Sequence, residues 1–305
     1  MTQTPSRRAF LRRVSSAAVA TAATALVPAP LPAIEPIERH GGPKFKFSLA
    51  AYSYRDLLTG KPPQLKLDDF IDDCAGMHLE GTELTSYYFP TDVTPDYLRH
   101  IKNLTFRLGL DISGTAVGND FCHPAGPQRD EQLALVKRWV DYAEILGAPV
   151  IRIFSGSPKG TSQEDAHRLA VEGIEECCQY AGQHGIYLAL ENHGGLTAQA
   201  DDMLRIVHDV KSPWFGVNLD TGNFHTADLY GDLAKLAPYA VNVQVKILVS
   251  GPDGKRVPSD FGRLAKILSA ANYRGYIVLE LEGETGDPRT LCPTLVDQLR
   301  QAFLA

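Results

Sequence analysis

The 305-residue chain has no CxxC pair, no GxGxxG turn, no apolar run long enough to cross a bilayer and no excess of basic charge. Each absence excludes something. The five cysteines, Cys74, Cys122, Cys177, Cys178 and Cys292, are odd in number and irregular in spacing. They fit neither a disulfide framework nor a thiolate zinc site, and read as buried or free thiols. The first strand candidate runs into AYSYRDLLTG instead of a glycine-rich turn. A dinucleotide-binding open sheet therefore lacks its usual mark. No internal repeat and no low-complexity stretch follows the N-terminal region.

What is present begins with an address. SRRAFLRR (Ser6–Arg13) leads into the Ala-rich run VSSAAVATAATALV and then PAPLPA. A basic start, a short apolar stretch and small residues before a cleavage point, in that order, read as a twin-arginine export signal over 1–33. The expected location is periplasmic or otherwise extracytoplasmic. The apolar stretch is too short and too rich in Ala and Thr to anchor in a membrane. The leader holds Arg7, Arg8, Arg12 and Arg13 and no acid; without them the 30 Lys+Arg fall to 26 against 36 Asp+Glu, a formal charge of −10. A surface of that sign repels nucleic acid, whose binding rests on phosphate neutralisation. Neither nucleic acid nor, after cleavage, a membrane is an expected partner. Residues 34–44 read as a linker. Residues 45–305 suit one domain of the size of an α/β barrel, which takes about 250 residues.

Short apolar runs alternate with longer amphipathic ones in that domain. The strand candidates are FKFSLAAY, LEGTELT, GLDISGTAV, PVIRIFSG, IYLALEN, FGVNLD, VNVQVKI and YIVLELE. Helix-patterned segments such as PDYLRHIKNLTFRL and EDAHRLAVEGIEECCQYAGQ lie between them. Gly109, Gly147 and Gly185 stand where a helix stops and a strand starts. Eight strands alternating with helices predict a (β/α)8 TIM barrel, with a doubly wound sheet as the competing architecture.

A barrel carries its chemistry at the C-terminal ends of its strands. The fifth strand candidate ends on Glu191 and the sixth on Asp220. The seventh carries Gln244 and Lys246, and the eighth Glu280 and Glu282, each pair two apart and so on one face. Glu191, Asp220, Gln244 and Glu280 form a candidate ligand set for one cation. Three carboxylates so close repel one another, and a divalent ion relieves the repulsion. An all-oxygen set favours Mn²⁺ or Mg²⁺, with Zn²⁺ or Co²⁺ as alternatives. Taken singly, each residue has a plainer reading: Asp220 as a cap, Gln244 as a satisfied amide, Glu282 as a solvated acid.

LENHGG, LDTGNF, VQVKI and YRGYIVLELEGE together resemble the sugar phosphate isomerase/epimerase family, the xylose isomerase-like TIM barrels. The resemblance implies metal ligands Glu, Asp, His and Glu at the ends of strands five to eight. These fall on Glu191, Asp220, Gln244 and Glu280, with Gln in the place of the usual His. Asn223 stands where many members have a His. The implied chemistry is removal of a C–H proton beside a polarised sugar carbonyl, giving isomerisation or epimerisation through an enediolate. Glu191 and Glu280 become candidate acid/bases and Lys246 an oxyanion stabiliser or an ion-pair partner. His193 is expected to touch substrate or move a proton. Glu83, Arg152, Asn223, His225 and Glu282 are candidate substrate contacts, with Glu83 alternatively a hydrogen-bond partner of a metal ligand and Arg152 an alternative partner for Glu191. Tyr52 and Tyr54 either stack on a sugar or pack. The expected partner is a small-molecule sugar, with pairing into a homo-oligomer implied by the resemblance. The competing readings are a lyase on 3-keto-glycosides or inososes, an abasic-site endonuclease of the same fold, and a sugar-binding barrel without catalysis.

Overall fold

Alternation along the strands decides which way each face turns. In VNVQVK, Val243 and Val245 are buried, and so is the polar Gln244 between them. Both faces of such a strand are covered, as a barrel wrapped by helices requires. The computed structural model describes residues 34–251, 253–283 and 286–305. The expected export signal over 1–33 lies outside the described residues. No described helix is long and apolar enough to cross a membrane.

The barrel strands are β1 (Lys44–Ala50), β2 (Gly81–Thr85), β3 (Asp111–Ala116), β4 (Val150–Ile153), β5 (Tyr187–Glu191), β6 (Phe215–Asp220), β7 (Ala240–Lys246) and β10 (Arg274–Glu280). They close in the order β1-β10-β7-β6-β5-β4-β3-β2, all parallel. Helices α1 (Leu67–Gly76), α2 (Pro95–Arg107), α3 (Pro127–Leu146), α4 (Gln163–Gln183), α5 (Ala200–Asp209), α6 (Leu229–Leu236), α7 (Phe261–Ala270) and α8 (Pro288–Leu304) run between and after them. The expected (β/α)8 barrel is therefore the architecture. The helix stops fall where the glycines predict them: Gly109, Gly147 and Gly185 have φ of 74°, 81° and 69°, a region costly for residues with a Cβ. Starts are capped by side chains, Thr94 accepting from the Tyr97 amide at 3.2 Å and Ser162 from the Asp165 amide at 3.0 Å.

Outside the barrel, Leu49, Ile151, Leu190, Leu219, Val245 and Leu279 are buried against the helices. Inside, the lining is polar. Ser48, Glu83, Arg152, Glu191, Asn218, Asp220, Asn242, Gln244, Lys246 and Glu280 are all buried. Branched apolar residues usually fill this space. At the N-terminal rim, Asp111 accepts from Lys46 at 2.8 Å and from Tyr276 at 2.5 Å, tying β1, β3 and β10 together.

One element was not foreseen. After β7 the chain forms an antiparallel hairpin, β8 (Leu248–Ser250) and β9 (Arg256–Pro258), before entering α7. β10 also stops at Glu280, so Glu282 lies two residues past the strand.

Candidate active site

Register sets the pairing at the site. Across neighbouring strands Glu280 pairs with Lys246, Asp220 with Gln244, and Glu191 with Asn218. Four successive barrel strands thus end on functional groups at one rim. The Lys246 ammonium occupies the centre of the carboxylates. It contacts Glu280, lies 2.7 Å from Glu282 and 3.6 Å from Asp220. Burial opposes the charge on Lys246, but Asp220, Glu280 and Glu282 outweigh it and hold the lysine firmly protonated. Tyr52 donates to Glu282 at 3.2 Å. Burial tends to raise Glu282, yet Lys246, Tyr52 and Arg55 keep it below the ordinary glutamate value.

Glu191 ends its buried strand on an ion pair. Its Oε2 lies 2.9 Å from Arg152 Nε, and its Oε1 accepts from Asn223 Nδ2 at 2.8 Å. Arg152 therefore takes its alternative role as the partner of Glu191, and Asn223 faces the same carboxylate. Burial raises both Glu191 and Asp220; Arg152 opposes this at the first, Lys246 at the second, and Glu280 reinforces it at both. Asn192 clips strand to strand, donating to the Asp220 carbonyl at 2.8 Å and accepting from the Asp220 amide at 2.9 Å. His193 is exposed, its ring 4.4 Å from that of Phe154, and the Arg152 guanidinium lies 4.0 Å from the same Phe154 ring. Desolvation of the His193 ring and the nearby Arg152 charge lower its pKa, which favours the neutral imidazole. His225 is paired with Ser250 of the hairpin. A cavity of about 270 Å³ opens between Asn223, His225, Lys246, Ser250, Arg256 and Glu282. Tyr54 is buried and packs edge-on against Phe70 at 5.1 Å, so of the two tyrosines only Tyr52 faces the carboxylates.

Gln244 takes its plainer reading, a satisfied amide, and Glu83 is its hydrogen-bond partner. The Gln244 amide donates to Glu83 at 2.5 Å and its carbonyl accepts from Asn218 at 2.7 Å. Both ends are engaged within the barrel, and neither bonds to Glu191, Asp220 or Glu280. Glu83 is fully buried and accepts a second bond from Asn242 at 2.8 Å, so it meets the barrel interior and not a pocket wall. Burial and Glu280 push its carboxyl up to about 7 against the pull of the two amides.

A divalent ion can be tested against these groups. The carboxylates of Glu191, Asp220, Glu280 and Glu282 pair with two cations, Lys246 and Arg152, which leaves two negative charges over. Asp220 Oδ2 is buried without a hydrogen bond. Hard oxygen donors with that excess charge fit a dication. The fit is one of charge and donor type: among the described residues no three His, Cys, Asp or Glu side chains are already gathered around a metal position.

The family described as "Xylose isomerase-like TIM barrel" matches residues 71–302, more than half of the chain. The chain belongs to that family. No curated protein matches it. Among solved structures, D-psicose 3-epimerase from Clostridium cellulolyticum H10 is 14% identical with a TM-score of 0.71, covering 85% of this chain and 99% of its own. A 3-keto-D-glucoside 4-epimerase from E. coli is 17% identical with a TM-score of 0.64, covering 85% and 99%. A "probable 3-DHS dehydratase" from Bacillus anthracis is 17% identical with a TM-score of 0.64, covering 83% and 98%. At these identities the likeness is one of fold.

Three groups near the site escaped the sequence reading. Phe154 carries the His193 ring, the hairpin brings Ser250 and Arg256, and Asn218 and Asn242 sit beneath the carboxylates. The asparagines had a signal. An amide at every second position of otherwise apolar strands marks a polar barrel lining.

Proposed function

We propose that the chain is a divalent-metal-dependent sugar isomerase or epimerase acting on a ketose-like or oxidised sugar. The observation that carries this is the cluster of Glu191, Asp220, Glu280 and Glu282 around Lys246, at the ends of consecutive barrel strands. A divalent ion held by Glu191, Asp220 and Glu280 would supply Lewis acidity toward a sugar carbonyl. The chain's own residues do the rest. Lys246 donates a hydrogen bond to the oxygen that gains charge as the neighbouring C–H proton leaves. Glu191 and Glu280 are the carboxylates placed to take that proton and return it. Arg152 and Asn223 hold Glu191 in one orientation for the transfer. Tyr52 and the Phe154–His193 pair supply apolar faces for a sugar ring, and His193, neutral, adds a hydrogen-bonding edge. The export signal read from the sequence would deliver the enzyme to free sugars in place of phosphorylated ones.

A lyase on 3-keto-glycosides would use the same residues, since both reactions start by removing a proton beside a carbonyl. Free ketoses and keto-glycosides incubated in D₂O and followed by proton NMR separate the two. Deuterium at the carbon whose configuration is inverted supports epimerisation; a product lacking a substituent supports elimination. Elemental analysis of the purified protein carries the metal claim. About one divalent ion per chain, lost in Asp220→Asn together with activity, is the expected result. A mutant that keeps both overturns the ligand assignment.

A further inference from the structure

Beneath the carboxylates lies a closed circuit of hydrogen bonds. Gln244 Nε2 donates to Glu83 Oε1 at 2.5 Å, and Asn242 Nδ2 donates to Glu83 Oε2 at 2.8 Å. The same Asn242 nitrogen donates to Asn218 Oδ1 at 2.8 Å, and Asn218 Nδ2 donates to Gln244 Oε1 at 2.7 Å. Four side chains from β2, β6 and β7 thus form a ring, each no more than 2% exposed. Asn218 lies two residues before Asp220, and Gln244 two before Lys246. The backbone carbonyl of Gln244 accepts from the Thr221 amide at 3.0 Å, and the Thr221 hydroxyl accepts from the Lys246 amide at 3.0 Å. The ring therefore underlies the strand ends that carry Asp220 and Lys246.

The ring has only one consistent arrangement. Each of its four links needs one N–H and one oxygen. Asn242 serves both its links from a single nitrogen, while Asn218 and Gln244 each supply one nitrogen and one oxygen. The count closes only if the fourth member brings two oxygens, which an ionised carboxylate does. With an amide at position 83, five nitrogens would face three oxygens; turning Asn242 over gives five oxygens and three nitrogens. No set of amide flips repairs this, and a buried mismatched pair is costly.

We propose that Glu83 is a positioning residue: its carboxylate fixes the direction of every hydrogen bond in the ring, and through Asn218 and Gln244 it holds Asp220 and Lys246 at their working separation. The kinetic part of this rests on the activity proposed above. The count itself supplies the test. Glu83→Gln breaks one link, but moving the carboxylate to a neighbouring member restores all four. In the double variant Glu83→Gln/Gln244→Glu, the amide at position 83 accepts from Asn242 through its oxygen. Its nitrogen donates to the carboxylate at position 244, whose other oxygen accepts from Asn218, and Asn242 still donates to Asn218. Glu83→Gln/Asn218→Asp closes in the same way.

Steady-state kinetics on the sugar found in D₂O, with thermal unfolding alongside, reads the outcome. Glu83→Gln is expected to lower kcat about tenfold or more with KM within about threefold, and to lower the Tm. Both double variants are expected to recover kcat to within about threefold of wild type and to regain most of the Tm. If Glu83→Gln does not fold, recovery of a folded, active protein in either double variant supports the ring. A Glu83→Gln enzyme with wild-type kcat overturns the proposal. So do double variants that regain Tm but not kcat, because a substrate-touching Glu83 could not be replaced from β6 or β7. A wild type without turnover on any sugar overturns the activity and the positioning role with it; turnover without kinetic rescue overturns the positioning role alone.

Discussion

Arg152 and Glu191 illustrate what a single residue contributes. Their ion pair is 2.9 Å long and almost fully buried, and a second guanidinium nitrogen donates to the Val117 carbonyl at 2.7 Å. Removing one partner leaves the other charged without a mate in a medium that solvates it poorly. Arg152→Met is therefore expected to cost about 3–5 kcal/mol, checked by the urea midpoint. Lys246→Met is expected to lower kcat about 100-fold, the usual loss of one donor to a developing oxyanion. An activity within about twofold of wild type would remove Lys246 from the mechanism. At this scale the sequence reached Glu191, Asp220, Lys246 and Glu280 because they end strands, and strand ends are visible in the hydrophobic pattern. It did not reach Asn218 as a partner of Gln244. A period of two tells which face a side chain takes, but not which of the other strands answers it across a barrel.

The elements divide the labour along the barrel axis. The C-terminal rim carries carboxylates that repel one another; the N-terminal rim carries the Lys46–Asp111–Tyr276 tie. The hydrogen bonds from Lys46 and then Tyr276 hold the Asp111 carboxyl below its ordinary value. A lowered folded pKa means that the stabilisation is present above the unfolded value of about 3.9 and is lost as pH falls through the folded one. Asp111 is largely exposed, so the effect is small. Comparing Tm between about pH 6 and about pH 2.5, Asp111→Asn is expected to fall less steeply than wild type. Parallel acid limbs would show that the tie adds nothing. The eight strands were legible because apolar runs alternate with amphipathic segments, and three of the junctions are marked by Gly109, Gly147 and Gly185. The β8–β9 hairpin was not, since three-residue strands carry too little alternation to stand out from a loop.

For the whole molecule, the five thiols report on integrity. All are buried, and burial pushes Cys122, Cys177 and Cys292 up to about 12 and the other two upward as well. A protonated, inaccessible thiol is inert. The folded protein is expected to react with no thiol reagent at about pH 8 within minutes and to release all five equivalents once unfolded in denaturant. One fast equivalent in the native state would show that a helix layer opens readily. The barrel as a whole could be read from the order of the segments, and its family from the resemblance carried by LENHGG, LDTGNF, VQVKI and YRGYIVLELEGE. The polar lining could not be read as a unit, because its members are spread from position 48 to position 280 and only closure of the sheet brings them together.

That lining has a consequence for how the chain finds its fold. A strand that pairs one residue out of register turns its other face to the axis. For β7 this would exchange Asn242 and Gln244 for Val243 and Val245, and Glu83 would meet methyl groups in place of two amides. A carboxyl group left against hydrocarbon without its hydrogen-bond partners is costly to bury, whether it stays ionised or takes up a proton. Slipped barrels, which an all-valine axis would tolerate, are thereby penalised before any substrate is present. The amide ring ties the native register of β7 to the satisfaction of Glu83.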